Sequence, residues 1–266
     1  MKFYKSIDNK TKNCNHRKIN DEPEIPAKKN KLFVKIIDYL FELMIKKNFC
    51  SVRVKNKQNY ELRNPEFASL FYGFHGCWWD GPIATILCRK LYNCNFYMMI
   101  KELRRFPALA MAGGFSIEKE SAHESINYSV KLLENSENTL WIFPQGKVYP
   151  SNFRPLNFEG GIAHICKKIK KLNLIPVACN YTFLRGEKPE ILIEIGKPII
   201  LEEGIKRKKD FLCCLQREFE LFIDNQKLEI SKEQFEEYEY ILYNNFSWLK
   251  LIEKNLQFIV RKKYIL

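Results

Sequence analysis

The chain of 266 residues is 46% hydrophobic and carries 44 Lys and Arg against 31 Asp and Glu, a formal net charge of +13. That length buries a full core as one large domain, or one domain with extensions, and the charge points to an anionic partner: nucleic acid, a phospholipid surface or a phosphorylated substrate. The nine cysteines include no C-x-x-C pair, which excludes a spaced zinc site, and neither of the longest uncharged runs, Phe67–Trp79 and Leu172–Leu184, reaches the ~18 apolar residues of a spanning helix.

The odd, scattered cysteines read as free thiols in a reducing compartment. Residues 1–60 hold 15 Lys and Arg against 6 Asp and Glu, so +9 of the excess precedes the core. Residues 1–30 are polar, with Pro23 and Pro26, and no cleavable signal peptide is read in them. They are expected to form a flexible basic tail, either a tether to acidic lipid or simply solvated.

Residues 31–48 read as an amphipathic helix. Lys31, Lys35, Asp38, Glu42 and Lys46 recur every three or four positions as one polar stripe, and nearly everything between is apolar. Asp38 and Glu42 make a spanning role costly. So wide an apolar face belongs either in a core or half-sunk in a membrane interface. Phe49–Lys55 alternates as a strand, and Asn56–Pro65 is turn-rich.

Ala68–Phe74 reads as a buried strand, and Ile83–Leu91 reads as a helix with Pro82 suited to its first turn. Between them stands His75-Gly76-Cys77-Trp78-Trp79-Asp80-Gly81. A histidine at a strand end and an aspartate just before a helix place a base and its orienting carboxylate on one side of a turn. A neutral imidazole takes a proton from a hydroxyl while the carboxylate fixes the tautomer and stabilises the imidazolium. The hydroxyl can belong to the protein or to a substrate. The spacing alone is unspecific, because His16 and Asp21 share it within the polar tail.

Asn95–Ile100 reads as a second core strand and Met111–Ile117, with Gly113-Gly114, as a loop. Ser121–Glu134 reads as a helix opened by a capping box from Ser121 to Glu124, with His123 on its surface. Thr139–Phe143 is an apolar strand ending in Pro144-Gln145-Gly146-Lys147, the kind of turn where α/β proteins place sites. Arg154-Pro155 follows, and Phe158-Glu159-Gly160-Gly161 opens a helix expected to reach Lys171. Leu174–Ala178 and Ile191–Ile195 read as strands, giving an α/β pattern with helices packed on a sheet. From Ile205 the pattern reads as helical to the end. Phe211, Leu215, Phe219 and Phe222 share one face, and Tyr238, Ile241, Leu242, Phe246 and Leu249 share another. Arg261-Lys262-Lys263 could meet acidic headgroups or remain solvated. The expected organisation is a tail (1–30), an amphipathic helix (31–48), a catalytic domain (49–204) and a helical C-terminal extension (205–266).

Four features stand in fixed order: His75-x4-Asp80 within Trp78-Trp79-Asp80-Gly81-Pro82, Gly113-Gly114-Phe115-Ser116-Ile117-Glu118-Lys119, Phe143-Pro144-Gln145-Gly146, and Ile175-Pro176-Val177. The ordered set resembles the glycerolphosphate and lysophospholipid acyltransferase family, over roughly residues 49–200. The resemblance implies a central mixed sheet flanked by helices. It implies transfer of a fatty acyl group from an acyl thioester, on coenzyme A or acyl carrier protein, to a lysophospholipid-type hydroxyl, with no other cofactor and no metal. It assigns the base role to His75 and the orienting role to Asp80, with substrate binding at Phe115, Ser116, Lys119, Pro144, Gln145, Gly146 and Arg154. Lys119 stands where the family has an arginine for the acceptor phosphate, and lysine lacks the two-pronged grip of a guanidinium. Gln145 replaces the usual glutamate, Phe74 an asparagine, and Lys147 a small hydroxyl residue. These departures leave the pair intact and the acceptor open, and 1-acyl-glycerol 3-phosphate heads the expected acceptors. The implied setting is the cytoplasmic side of a membrane, peripheral or monotopic. An inactive membrane-bound scaffold and a basic nucleic-acid-binding module are the alternatives; no nucleic-acid motif supports the second.

Overall fold

The computed structural model describes residues 22–118, 121–184 and 186–244. Its strands are β1 (Ser51–Lys55), β2 (Ala68–Gly73), β3 (Asn95–Ile100), β4 (Gly114–Ser116), β5 (Asn138–Ile142), β6 (Leu172–Thr182), β7 (Glu190–Ile195), β8 (Ile199–Leu201) and β9 (Glu239–Tyr243). Its helices are α1 (Lys31–Asn48), α2 (Asp80–Thr85), α3 (Ala122–Leu133), α4 (Gly161–Lys168) and α5 (Lys208–Ser231), and α2 runs on as a π-helical turn, Ile86–Leu91. The strands form one mixed sheet in the order β4-β3-β5-β2-β6-β7-β1-β9, with β8 beside β6. Strands β2 to β6 are parallel to their neighbours up to β6; β7 and β8 then pair antiparallel with β6.

Period-two alternation divides the core. Phe71 faces the layer of α1 and α2, with Ile45, Ile83, Leu87 and Trp141. Leu70 and Tyr72 face α3, α4 and α5, with Leu133, Ile162, Ile165, Leu215 and Phe219. Every residue of β2 is buried, as befits a central parallel strand. Phe71 and Trp141 are register partners on β2 and β5, and their rings stack at 5.5 Å.

Several expectations are corrected. Residues 22–30 do not hang as a tail but lie along the β4 edge. Ser116 N–H donates to Ile25 C=O, and the Ile25 and Lys28 N–H groups return bonds to Ser116 Oγ and Ala110 C=O, each at 2.9 Å. The Gly113–Ser116 stretch, read as a loop, contains β4, parallel to β3; its glycines fit because a Cβ at Gly114 would come within 2.8 Å of Ile100. Ser121 precedes α3 without a side-chain cap, and α4 ends at Lys168, where the chain turns into β6. Among the described residues the C-terminal segment is helical only through α5. Glu239–Tyr243 is β9, antiparallel to β1, because the open edge of β1 offers backbone partners that helical spacing cannot reveal. Phe246, Leu249 and Arg261-Lys262-Lys263 lie outside the described residues, as do His16 and Asp21.

α1 is seated with its acids inward. Asn30 Oδ1 caps it by accepting from Phe33 N–H at 3.0 Å. Asp38 meets Arg89 at 2.5 Å, and Glu42 meets Lys90 and Lys46 at 2.6 Å each. The opposite stripe faces outward, with Leu32 69% and Tyr39 63% exposed and Ile36, Leu40, Leu43 and Met44 beside them. Among the described residues no helix is long and apolar enough to cross a membrane.

Candidate active site

β2 delivers His75 to its C-terminal end in the middle of the sheet, and the next turn delivers Asp80 as the first residue of α2. The carboxylate builds that turn. Asp80 Oδ2 accepts from Gly76 N–H at 2.8 Å, from Cys77 N–H at 2.9 Å and from His75 Nδ1 at 2.9 Å. Asp80 Oδ1 accepts from Tyr181 O–H at 2.7 Å. Asp80 is only 4% exposed, so these donors replace the water it has lost. A hydrogen on Nδ1, held by a carboxylate, leaves the Nε2 lone pair free. That nitrogen has no hydrogen-bond partner among the described residues, and the His75 side chain is 25% exposed.

The turn after β5 holds the histidine from its other sides. Phe143 stacks on the imidazole at 4.3 Å and 15°. Gln145 Oε1 accepts from His75 N–H at 2.9 Å, and His75 C=O accepts from Tyr149 N–H at 2.9 Å. Gly146 adopts φ +66, the left-handed region that favours glycine, and its N–H closes the turn on Phe143 C=O at 3.1 Å. Pro144 C=O accepts from Glu159 N–H at 2.7 Å, which ties the turn to the start of α4. The histidine and the carboxylate are thus locked in place, with the second imidazole nitrogen unpartnered among the described residues.

Residues 51–180 match the protein-family model described as Acyltransferase. The chain carries an acyltransferase domain. The solved structure of the 1-acyl-sn-glycerophosphate (LPA) acyltransferase PlsC from Thermotoga maritima shares the fold, with a TM-score of 0.50 and 16% identity over 73% of this chain and 78% of that one. No curated protein matches the chain.

Within the acyltransferase domain the remaining expected site residues fall in three places. Pro144, Gln145 and Gly146 lie against the turn that holds His75 and Asp80. Phe115 and Ser116 are fully buried in β4, with β3 and β5 between it and β2, which places them roughly 14 Å away at usual strand spacing. The Phe115 ring packs on Tyr128, and the Ser116 hydroxyl accepts from Ile25 N–H. Arg154 turns its guanidinium onto Asp224 of α5 and onto Phe153 C=O, clasping the loop after Gly146 to that helix. Lys119 lies outside the described residues.

Sequence reasoning missed Tyr181, Phe143 and Tyr149 as partners of the pair. The thiol nearest the pair is not a ready thiolate. Burial, with the Asp80 charge beside it, pushes Cys77 up to about 11, and burial pushes Cys179 well above its ordinary value. Both stay protonated at neutral pH. A narrow apolar crevice lined by Gly73, Ile83, Trp141, Phe143, Val177 and Cys179 runs behind the pair.

Proposed function

We propose that the protein transfers a fatty acyl group from an acyl thioester to the hydroxyl of a lysophospholipid-type acceptor, with 1-acyl-glycerol 3-phosphate first among candidates. The observation that carries this reading is His75 Nδ1 held 2.9 Å from Asp80 while Nε2 stands free. His75 Nε2 takes the acceptor's proton as its oxygen attacks the thioester carbonyl. The tetrahedral intermediate collapses, the C–S bond breaks, and the imidazolium returns the proton to the leaving sulfur. Asp80 stabilises the imidazolium in between. General-base assistance contributes about 10²–10⁴-fold. The protonated Cys77 supports direct transfer without an acyl-enzyme.

The donor is acyl-CoA or acyl carrier protein, and no further cofactor takes part. Gln145 spends its amide oxygen on His75 and holds the main chain of the base in place. Lys119 is assigned to the acceptor phosphate. Phe115, Ser116 and Arg154 act by holding β4 and the post-Gly146 loop in place.

The partner surface is a phospholipid membrane, approached from the cytoplasmic side by a peripheral or monotopic enzyme. The outward apolar stripe of α1 supports this, with Lys31, Lys35 and Lys47 exposed toward its two ends. Trp78, 53% exposed between His75 and Asp80, stands edge-on to the half-buried Phe41 of α1 and adds an exposed aromatic ring beside the catalytic turn.

The test is thiol release from long-chain acyl-CoA and acyl carrier protein by vesicle-bound protein. The acceptors are glycerol 3-phosphate, lysophosphatidate, other lysolipids and a neutral hydroxylated lipid, with His75→Ala beside them. Acceptor-dependent release that disappears in His75→Ala supports the reading and names the acceptor. Folded, vesicle-bound protein that releases nothing with any pair sinks it.

A further inference from the structure

We infer that Tyr181 is a positioning residue of the catalytic pair, holding the second oxygen of Asp80 and so setting how strongly the carboxylate draws on His75. The inference rests on His75 acting as the base.

The length of β6 makes the contact. β6 runs beside β2 as far as Val177, the register partner of Gly73, and continues to Thr182 paired with β7. That overhang carries Tyr181 past the end of β2 and over the turn that holds His75 and Asp80. Its hydroxyl donates to Asp80 Oδ1 at 2.7 Å. The two carboxylate oxygens are served unequally. Among the described residues Oδ2 takes three N–H donors, whereas Oδ1 has the tyrosine and, beyond it, only the Cys77 thiol at 3.9 Å. The Tyr181 ring is braced by Phe49 at 5.9 Å, and Phe49 stands edge-on at 4.9 Å to Trp79, the residue before Asp80.

Burial, with Cys179 and Asp80 beside it, pushes the Tyr181 phenol well above its ordinary value, so it remains an O–H donor wherever the enzyme works. A donor on one carboxylate oxygen withdraws charge from the other. Without it, charge gathers on Oδ2 and binds the imidazolium more tightly. The histidine then holds its proton to higher pH, and less free base is present near neutrality.

Tyr181→Phe removes one oxygen and keeps the ring. The expected result is about a tenfold fall in kcat/KM near pH 7, with KM for the acyl donor unchanged. The acidic limb of the kcat/KM profile moves upward, and activity recovers in part at alkaline pH. 3-Fluorotyrosine at position 181 keeps every packing contact and strengthens the donor, so the same limb moves downward. A uniform loss with the limb unmoved, or no loss at all, overturns the inference. The ring-nitrogen NMR titration of His75 in substrate-free protein is expected to follow the same two directions, and it requires no turnover. If the wild type transfers no acyl group, the proposed reaction fails while the titration still decides the role of Tyr181.

Discussion

Gln145 accepts the backbone N–H of His75 at 2.9 Å across 70 residues of chain, so the turn after β5 fixes the main chain of the histidine that follows β2. The same side chain leaves its Nε2 buried and unpartnered. Gln145→Leu therefore exchanges one orphan donor, Nε2, for another, His75 N–H, each of about 1–3 kcal/mol. Its melting temperature is expected to stay close to wild type while kcat falls about tenfold as the imidazole loses its anchor. Gln145→Glu keeps an acceptor for His75 N–H and is expected to retain most activity. Thermal melts beside initial rates check both, and a Leu variant as active as wild type would refute the anchoring role.

The His75–Asp80 bond predicts a graded loss. His75→Ala removes the base and is expected to lower kcat by about 10²–10⁴-fold with a native circular dichroism spectrum. Asp80→Asn also weakens the turn, because a neutral amide oxygen replaces the charged one that accepts from Gly76, Cys77 and His75, while its NH2 faces the Tyr181 hydroxyl that donated to Oδ1. It is expected to be severely impaired and less stable. His16→Ala is expected to match wild type. Full activity in His75→Ala would end the catalytic assignment.

The pair was legible because it is local. A strand, a turn and a helix start fall within a dozen residues, and the turn chemistry sits on the surface of the sequence. Tyr181 lies 101 residues from Asp80, and nothing in its strand marks it, since only the overhang of β6 past β2 brings it there. Arg154 is expected from the sequence as a phosphate contact, but its guanidinium meets Asp224, 70 residues on, a partner that no local pattern reveals. β9 was misread because Tyr238, Ile241 and Leu242 fit a helical face and a short strand equally well. Periodicity gave α1 its two faces but not which one meets the protein. That choice was made by Arg89 and Lys90 on the π-helical turn, which claim Asp38 and Glu42.

Direct transfer predicts indifference to the neighbouring thiol. Cys77 is pushed up to about 11, so its thiolate is scarce at pH 7 to 8 and rises only as pH approaches that value. Cys77→Ala is expected to keep activity within about threefold of wild type. Intact-mass spectra of wild type incubated with acyl-CoA alone are expected to show no acyl adduct. A stoichiometric adduct that disappears in Cys77→Ala would replace the direct mechanism with a covalent one.

The seating of α1 separates membrane binding from stability. Ile36 and Leu40 lie on the exposed stripe. Ile36→Asp combined with Leu40→Asp is expected to melt like wild type, since few protein contacts are lost. Each side chain contributes about 1.5–3 kcal/mol when it leaves water for lipid, so the pair should weaken vesicle co-sedimentation by roughly 10²–10⁴-fold. Transfer to an acceptor embedded in vesicles falls with it, while transfer to a monomeric short-chain acceptor persists. Asp38→Ala is expected to do the reverse. It strands Arg89, whose side chain is only 10% exposed, and costs about 1–3 kcal/mol of stability while the outward stripe still binds vesicles. A doubly substituted protein that still sediments with vesicles would show that another surface meets the membrane.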